Sequence, residues 1–378
     1  MYYNLFRLKK VTSLLGYLTL IVVVGGLLVV GFPILKNKLF YSGIFVPKEI
    51  FTLNDKINMV PPEDTFEKRV EVFKQIDDLA KKSVSGNSFS SEIYSLIKIR
   101  LDQALKEIPA TKVPKGKVKV WYIYNMGVIA KSADATIAFD LDGTFAYSNM
   151  ADFAKYIDVL VITHFDHDHF DLPVVKEALK DGVTVIAPGD TISLIGQEFC
   201  RDPNGENAVS LVKKRNNISS DNFISLTPLE ETLVKGIKIT AYLGMHVHDP
   251  EVGDLYVNPP LDVYYVDLGG FKIVHTGDAE SINDQVDFAD KNIDLYIFHS
   301  STLDPRTNDT LMKLVPNAKT IFPLHILEFG HGSAAVDMNS HSFMTYQSIL
   351  DNYANGYYKS LSGKTRFMPM IWGESLLF

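Results

Sequence analysis

An apolar run ending in a dense cluster of metal-type donors constrains this chain more than any other feature. Val159 to Ile162, between Asp158 and Thr163, form a continuous apolar stretch, as expected of a strand covered on both faces. His164, Asp166, His167, Asp168 and His169 follow at once. The cluster therefore sits where a buried strand gives way to a loop, the usual place for functional residues in layered α/β folds. All ten histidines lie between His164 and His341, a distribution that scattered core histidines would not give. Imidazoles and carboxylates converging at one strand end suit zinc, iron or manganese. The plain alternative is an exposed polar loop; if buried without a cation, the same groups would be costly.

Later strand ends repeat the pattern. His246 and His248 follow the stretch Ile237–Tyr242, Gly277-Asp278 follows Phe271–Val274, and His325 follows Thr320–Phe322. Further strands are predicted at 118–124, 136–140, 183–187, 263–267 and 295–298, with a helix over 172–179 opened by Asp171. Earlier, Val70, Phe73, Ile76 and Leu79 recur at helical spacing, and Ile93 to Leu105 suggest a second helix after a Ser/Gly/Asn-rich loop. The two read as a helical hairpin packed on a mixed α/β domain. Cys200 is the single cysteine, which excludes an intrachain disulfide, a cysteine-based zinc site and an iron–sulfur cluster. The formal charge of −8 argues against a nucleic-acid partner, which needs a basic face.

No charged residue occurs from Val11 to Leu35, and a bilayer-spanning helix needs about 20 mostly apolar residues. A cleaved signal peptide would have a shorter apolar core and a small-residue cleavage site; here Phe32 and Pro33 follow. Residues 11–32 are therefore expected to be a single transmembrane anchor, with 1–10 a short cytoplasmic terminus. Arg7, Lys9 and Lys10 precede the span and Lys36 and Lys38 follow it; the balance places the remainder outside the cytoplasm. Residues 33–115 read as a juxtamembrane linker, to about residue 60, and the helical hairpin. Residues 116–378 read as the catalytic domain.

The order of these motifs resembles the metallo-β-lactamase superfamily, whose first motif, His-x-His-x-Asp-His, maps onto His164, Asp166, Asp168 and His169. The resemblance implies an αββα sandwich with two divalent ions at one edge, zinc first, with iron or manganese as alternatives. It implies that His164, Asp166 and His246 hold one ion, and that Asp168, His169 and His325 hold the other. Asp278 would bridge them, and Asp168 and Asp278 would carry catalysis. His246 comes first after the strand and is the preferred ligand, with His248, two positions on and on the same strand face, as the alternative. His167 and His275 read as loop or structural residues, and His299 and His331 as residues within possible reach of the site. The chain departs from the family at Asp166, where a carboxylate replaces the usual second histidine; the harder oxygen donor tilts the site toward iron or manganese. Within the superfamily the layout is most similar to the ascorbate-6-phosphate lactonase and N-acyl-phosphatidylethanolamine phospholipase D branch. The expected activity is membrane-anchored hydrolysis of an ester, lactone or phosphodiester, a small or lipid-like substrate, by hydroxide held between the ions. The rival readings are a di-iron oxidoreductase and a non-catalytic binding protein on the same fold.

Overall fold

The computed structural model describes residues 46–64, 66–84, 91–143, 147–166, 168–195, 198–201, 204–245, 261–279, 281–282, 292–300, 318–327, 344–354 and 365–378. The expected anchor at 11–32 lies outside them. Among the described residues, no helix is long and apolar enough to cross a membrane.

Three helices come first: α1 (Lys48–Met59), α2 (Phe66–Val84) and α3 (Ser91–Ala110). The first is a correction, because residues 40–60 read as linker. Its apolar positions are few, but Ile50, Leu53 and Ile57 recur at helical spacing and are buried. On α2, Phe73 and Ile76 are buried as the spacing predicts, and Val70 is half-buried.

The strands follow in order: β1 (Lys119–Tyr122), β2 (Val128–Lys131), β3 (Thr136–Phe139), β4 (Val159–Val161) and β5 (Thr184–Pro188). A small sheet of β6 (Thr191–Ile195), β7 (Glu198–Arg201) and β8 (Glu206–Asn207) interrupts before β9 (Phe223–Leu226). The second half holds β10 (Glu231–Val234), β11 (Ile237–Met245), β12 (Leu261–Leu268), β13 (Phe271–His275), β14 (Ser281–Ile282), β15 (Leu295–His299), β16 (Thr320–Leu324) and β17 (Arg366–Phe367). The last strand, β18 (Ser375–Leu377), returns to the first sheet.

The two large sheets share one plan. In the first, ordered β18-β1-β2-β3-β4-β5-β9, an antiparallel meander β1-β2-β3 runs into parallel β4, β5 and β9. In the second, ordered β10-β11-β12-β13-β15-β16-β17, the meander β11-β12-β13 runs into parallel β15, β16 and β17. The sheets pack face to face: Phe139 of β3 stacks on His275 of β13, and Tyr122 of β1 meets Phe322 of β16 edge-on. Helix α4 (Leu172–Lys180), capped by Asp171, and α5 (Ala208–Asn216) cover the first sheet. This mixed α/β fold with two large sheets fits the layered arrangement implied by the first motif. The N-terminal helices share its contiguous core, with Phe73 stacked on Tyr346 of α6 (Tyr346–Ala354).

Candidate metal centre

The first motif is fixed by Asp140, a buried residue directly after β3. Its carboxylate accepts from the Thr163 backbone N–H at 2.8 Å and from the Thr163 hydroxyl at 2.7 Å. That hydroxyl has one proton to give, so its 3.0 Å contact with His164 Nδ1 requires the imidazole to donate. His169 Nδ1 lies 3.0 Å from the same Asp140 carboxylate. Both rings are thereby held with Nδ1 protonated, as second-layer partners of ligating histidines do, which leaves Nε2 as the atom that would meet a cation. The Nε2 atoms face carboxylates: His164 lies 3.4 Å from Asp166, and His169 lies 3.2 Å from Asp168.

The end of β16 brings in His325. Its backbone is left-handed, at φ 64°, a conformation that costs a non-glycine residue about 1–3 kcal/mol and collects at functional sites. Two contacts hold it there: its N–H donates to the Asn125 carbonyl at 3.2 Å, and its carbonyl accepts from the Ser300 hydroxyl at 3.1 Å. Asn125, also left-handed at φ 50°, turns its amide onto Asp168 Oδ2 at 3.0 Å. Asn125 thus ties the orientation of Asp168 to that of His325, whose Nε2 is 3.4 Å from Asp168 Oδ2.

Asp278 stands between the two groups. It follows Gly277, which has φ 52° and lies so close to Thr163 that a Cβ would fall 2.5 Å from the hydroxyl oxygen; no other residue fits there. His275 braces the turn. Its Nδ1 accepts from the Gly277 N–H at 3.1 Å and its Nε2 donates to the Met126 carbonyl at 2.9 Å. Both ring nitrogens are spent, so His275 is structural. Asp278 Oδ1 lies 3.1 Å from His169 Nε2, and Oδ2 lies 3.9 Å from His164 Nε2 and 3.8 Å from His325 Nε2.

The electrostatics point to a cation. Burial alone would lower the pKa of His169, yet Asp278, Asp168 and Asp140 raise it well above the usual histidine range. Burial would raise Asp278, but His169, His299 and His325 hold it well below the carboxylate range. Burial likewise opposes the ionised form of Asp166, and His164 outweighs it, lowering that pKa. The carboxylates are thus kept ionised around a point where positive charge is favoured.

The donor set fits a divalent ion. Ligand atoms of Asp168, His169, Asp278 and His325 lie within 4.8 Å of one another, all buried. Bonds of ~2.0–2.2 Å in a tetrahedral set place ligand atoms roughly 3.4 Å apart, and the separations above span 3.1 to 3.8 Å. His164 and Asp166 form a second pair, with His164 Nε2 3.4 Å from Asp166 and 3.9 Å from Asp278 Oδ2. His246, the remaining assigned ligand, lies outside the described residues, as do His167, His248, His331 and His341. The strand before it does reach the centre: a Cβ on Gly244 of β11 would lie 3.1 Å from the Ala279 Cβ.

Asp140 and Asn125 lay beyond the sequence motifs, whereas the sequence already sets His299 within reach of the site. Asp140 and Asn125 orient donors, and His299 places Nε2 3.7 Å from Asp278 Oδ1 with its ring 3.9 Å from that of His325. The signal for Asp140 was a charged residue closing an apolar strand; His299 carried the same signal, weakly, after β15. Asn125 carried none.

No protein-family model matches the chain, and no curated protein sequence matches it. Similar solved structures exist. Igni18, a metallo hydrolase from Ignicoccus hospitalis, has a TM-score of 0.46 at 14% identity, over 69% of this chain and 98% of that one. CmlA, a diiron β-hydroxylase from Streptomyces venezuelae, has a TM-score of 0.47 at 14% identity, over 70% of this chain and 54% of that one. YhfI, a metallo-β-lactamase fold protein from Bacillus subtilis, has a TM-score of 0.41 at 14% identity, over 69% of this chain and 99% of that one.

Proposed function

We propose that this chain is a metal-dependent hydrolase of the metallo-β-lactamase type, working with two divalent ions. The observation that carries the reading is Asp278, whose carboxylate lies near imidazoles of both proposed donor groups: Oδ1 is 3.1 Å from His169, and Oδ2 is 3.8 Å from His325 and 3.9 Å from His164. Asp168, His169 and His325 would hold one ion with Asp278. His164 and Asp166, with His246 as the sequence assigns it, would hold the other. The bound pair supplies Lewis acidity and lowers the pKa of water at the site. Asp278, kept ionised by the surrounding imidazoles, accepts a hydrogen bond from that water and aims it. Asn125 keeps Asp168 turned toward His325, so the carboxylate does not swing away when substrate enters.

The substrate class we infer is an ester, lactone or phosphodiester, small or lipid-like, with residues 11–32 holding the protein at a membrane and the remainder outside the cytoplasm. The support is the uncharged N-terminal stretch and the basic residues before it. A di-iron redox reading draws on one observation, the Asp166 carboxylate beside His164, a donor harder than imidazole. The deciding experiment reconstitutes the full chain in detergent with zinc, iron or manganese, measures metal content, and assays the three substrate classes. Two ions per chain with hydrolysis is the expected result. Well under one ion per chain overturns the metal reading, and two irons with redox turnover but no hydrolysis overturns the hydrolase.

A further inference from the structure

Away from the metal centre, a cavity of about 190 Å³ opens where α1, α3 and the turn before β18 meet. Arg100 lines it and is only 4% exposed. Its Nε donates to the Trp372 carbonyl at 2.9 Å, and Nη1 donates to the side-chain oxygens of Asn58 at 2.5 Å and Asn54 at 3.3 Å. All three partners are neutral.

The carboxylates on the same walls are committed elsewhere. Glu374 takes both oxygens to Arg69, at 2.7 and 2.6 Å, and also accepts from the Ile371 N–H. Glu107 is paired with Lys119 at 2.5 Å and accepts from the Ser375 hydroxyl at 3.2 Å. Two acids and two bases cancel, and the Arg100 charge is left over. Among the described residues, no carboxylate forms an ion pair with it. Buried charges are ordinarily paired, because an uncompensated one is strongly unfavourable. Arg100 is therefore a buried cation whose hydrogen-bond partners are all neutral, which Glu374 and Glu107 offset only at longer range, and it faces an open volume.

We propose that this cavity binds a small carboxylate monoanion on Arg100. The volume is below the ~300–1,000 Å³ of drug-sized ligand sites, so the ligand is small. With Nε and Nη1 taken, the two N–H groups of Nη2 remain to donate charge-assisted hydrogen bonds to a carboxylate oxygen. The nearby Glu107 and Glu374 disfavour a dianion such as phosphate, whereas one negative charge offsets the one left over. Gln103 and Asn58, exposed at the mouth, have amide N–H groups to offer the outer oxygen. None of these residues belongs to the metal centre, so this site stands or falls separately from the proposed hydrolase.

The test uses the full chain with sodium acetate as probe, against sodium chloride and sodium phosphate at matched ionic strength. Acetate should raise Tm saturably beyond chloride, since a ligand that binds only the folded state stabilises it by mass action, and should shift the amide resonances of Gly373 and Ser375. Arg100→Gln should weaken acetate binding about tenfold or more, the loss of one charged hydrogen bond. Should that variant fail to fold, Gln103→Glu, at an exposed position, should also weaken acetate by placing a negative charge at the mouth. No acetate effect beyond chloride, unchanged affinity in the folded variants, or tighter binding of phosphate than acetate overturns the proposal.

Discussion

Asp278 and Asp140 do different work on the same donors, and their substitutions should separate. On the proposed two-ion reading, Asp278→Ala removes a carboxylate that both ions share and leaves the buried Asp168 without the metal charge that offsets it. Loss of such a partner costs several kcal/mol, and each 1.36 kcal/mol is a tenfold loss in rate. Hydrolysis should therefore fall about a thousandfold or more, with metal content dropping toward zero in elemental analysis. Near-normal turnover with both ions retained would show the bridging role to be wrong. Asp140→Asn keeps the shape but weakens the hold on the His169 tautomer and on Thr163. Metal affinity, measured by chelator competition, should fall only about 10–100-fold, the usual effect of a partner behind a ligand. An affinity indistinguishable from the parent would mean that Asp140 serves folding alone.

At the scale of elements, the strands that end in donors were legible because they are continuous apolar runs stopped by a polar group. β4, β13, β15 and β16 all ended within two residues of expectation. What escaped was short or unbalanced in composition: α1 with few apolar positions, the β6–β8 sheet, the half-exposed hairpin strand β10, and the edge strands β17 and β18, whose pairing is set by distant chain. Asp77 is another long-range device. Lying on α2, it caps α6, accepting from the Tyr346 N–H at 3.0 Å and the Gln347 N–H at 2.7 Å. Burial pushes its pKa up to about 6, against the lowering effect of those two N–H groups and of Lys81. A folded-state pKa above the unfolded value means that the folded state holds the proton more tightly. The contribution of Asp77 to stability is therefore greatest near pH 4 and declines as pH rises to about 6. At 1.36 kcal/mol per pKa unit, the decline is about 3 kcal/mol at most. In urea unfolding of metal-free protein, the stability of the parent relative to Asp77→Asn should fall between pH 4 and 6.5 and then level off. A difference that is flat with pH would show that Asp77 does not titrate in this range.

For the whole molecule, the boundary near Gly116 that composition suggests conflicts with the way the chain is tied together. Arg69 on α2 reaches across 305 positions to Glu374, and both are almost fully buried. Its Nη1 also donates to the Pro369 carbonyl at 2.8 Å, and Arg100 on α3 donates to the Trp372 carbonyl. The strand β18 that follows these residues closes the first sheet against β1. The helices are thus part of the wall behind the sheet whose strands lead into the first motif. Removing one partner of a buried ion pair costs about 3–5 kcal/mol, against a total stability of roughly 5–15 kcal/mol for a typical domain. A chain beginning at Gly116 would strand Glu374 without Arg69 and would also uncover the partners of Phe73, Ile76, Ile97 and Leu101, all fully buried. A chain beginning at Val46 should unfold in one cooperative transition and bind metal with the stoichiometry of the full chain. The chain beginning at Gly116 should be aggregated, or lack a cooperative transition in chemical denaturation. If the shorter chain is soluble, unfolds cooperatively and binds two ions, the helices are an accessory layer and the core of the molecule begins at β1.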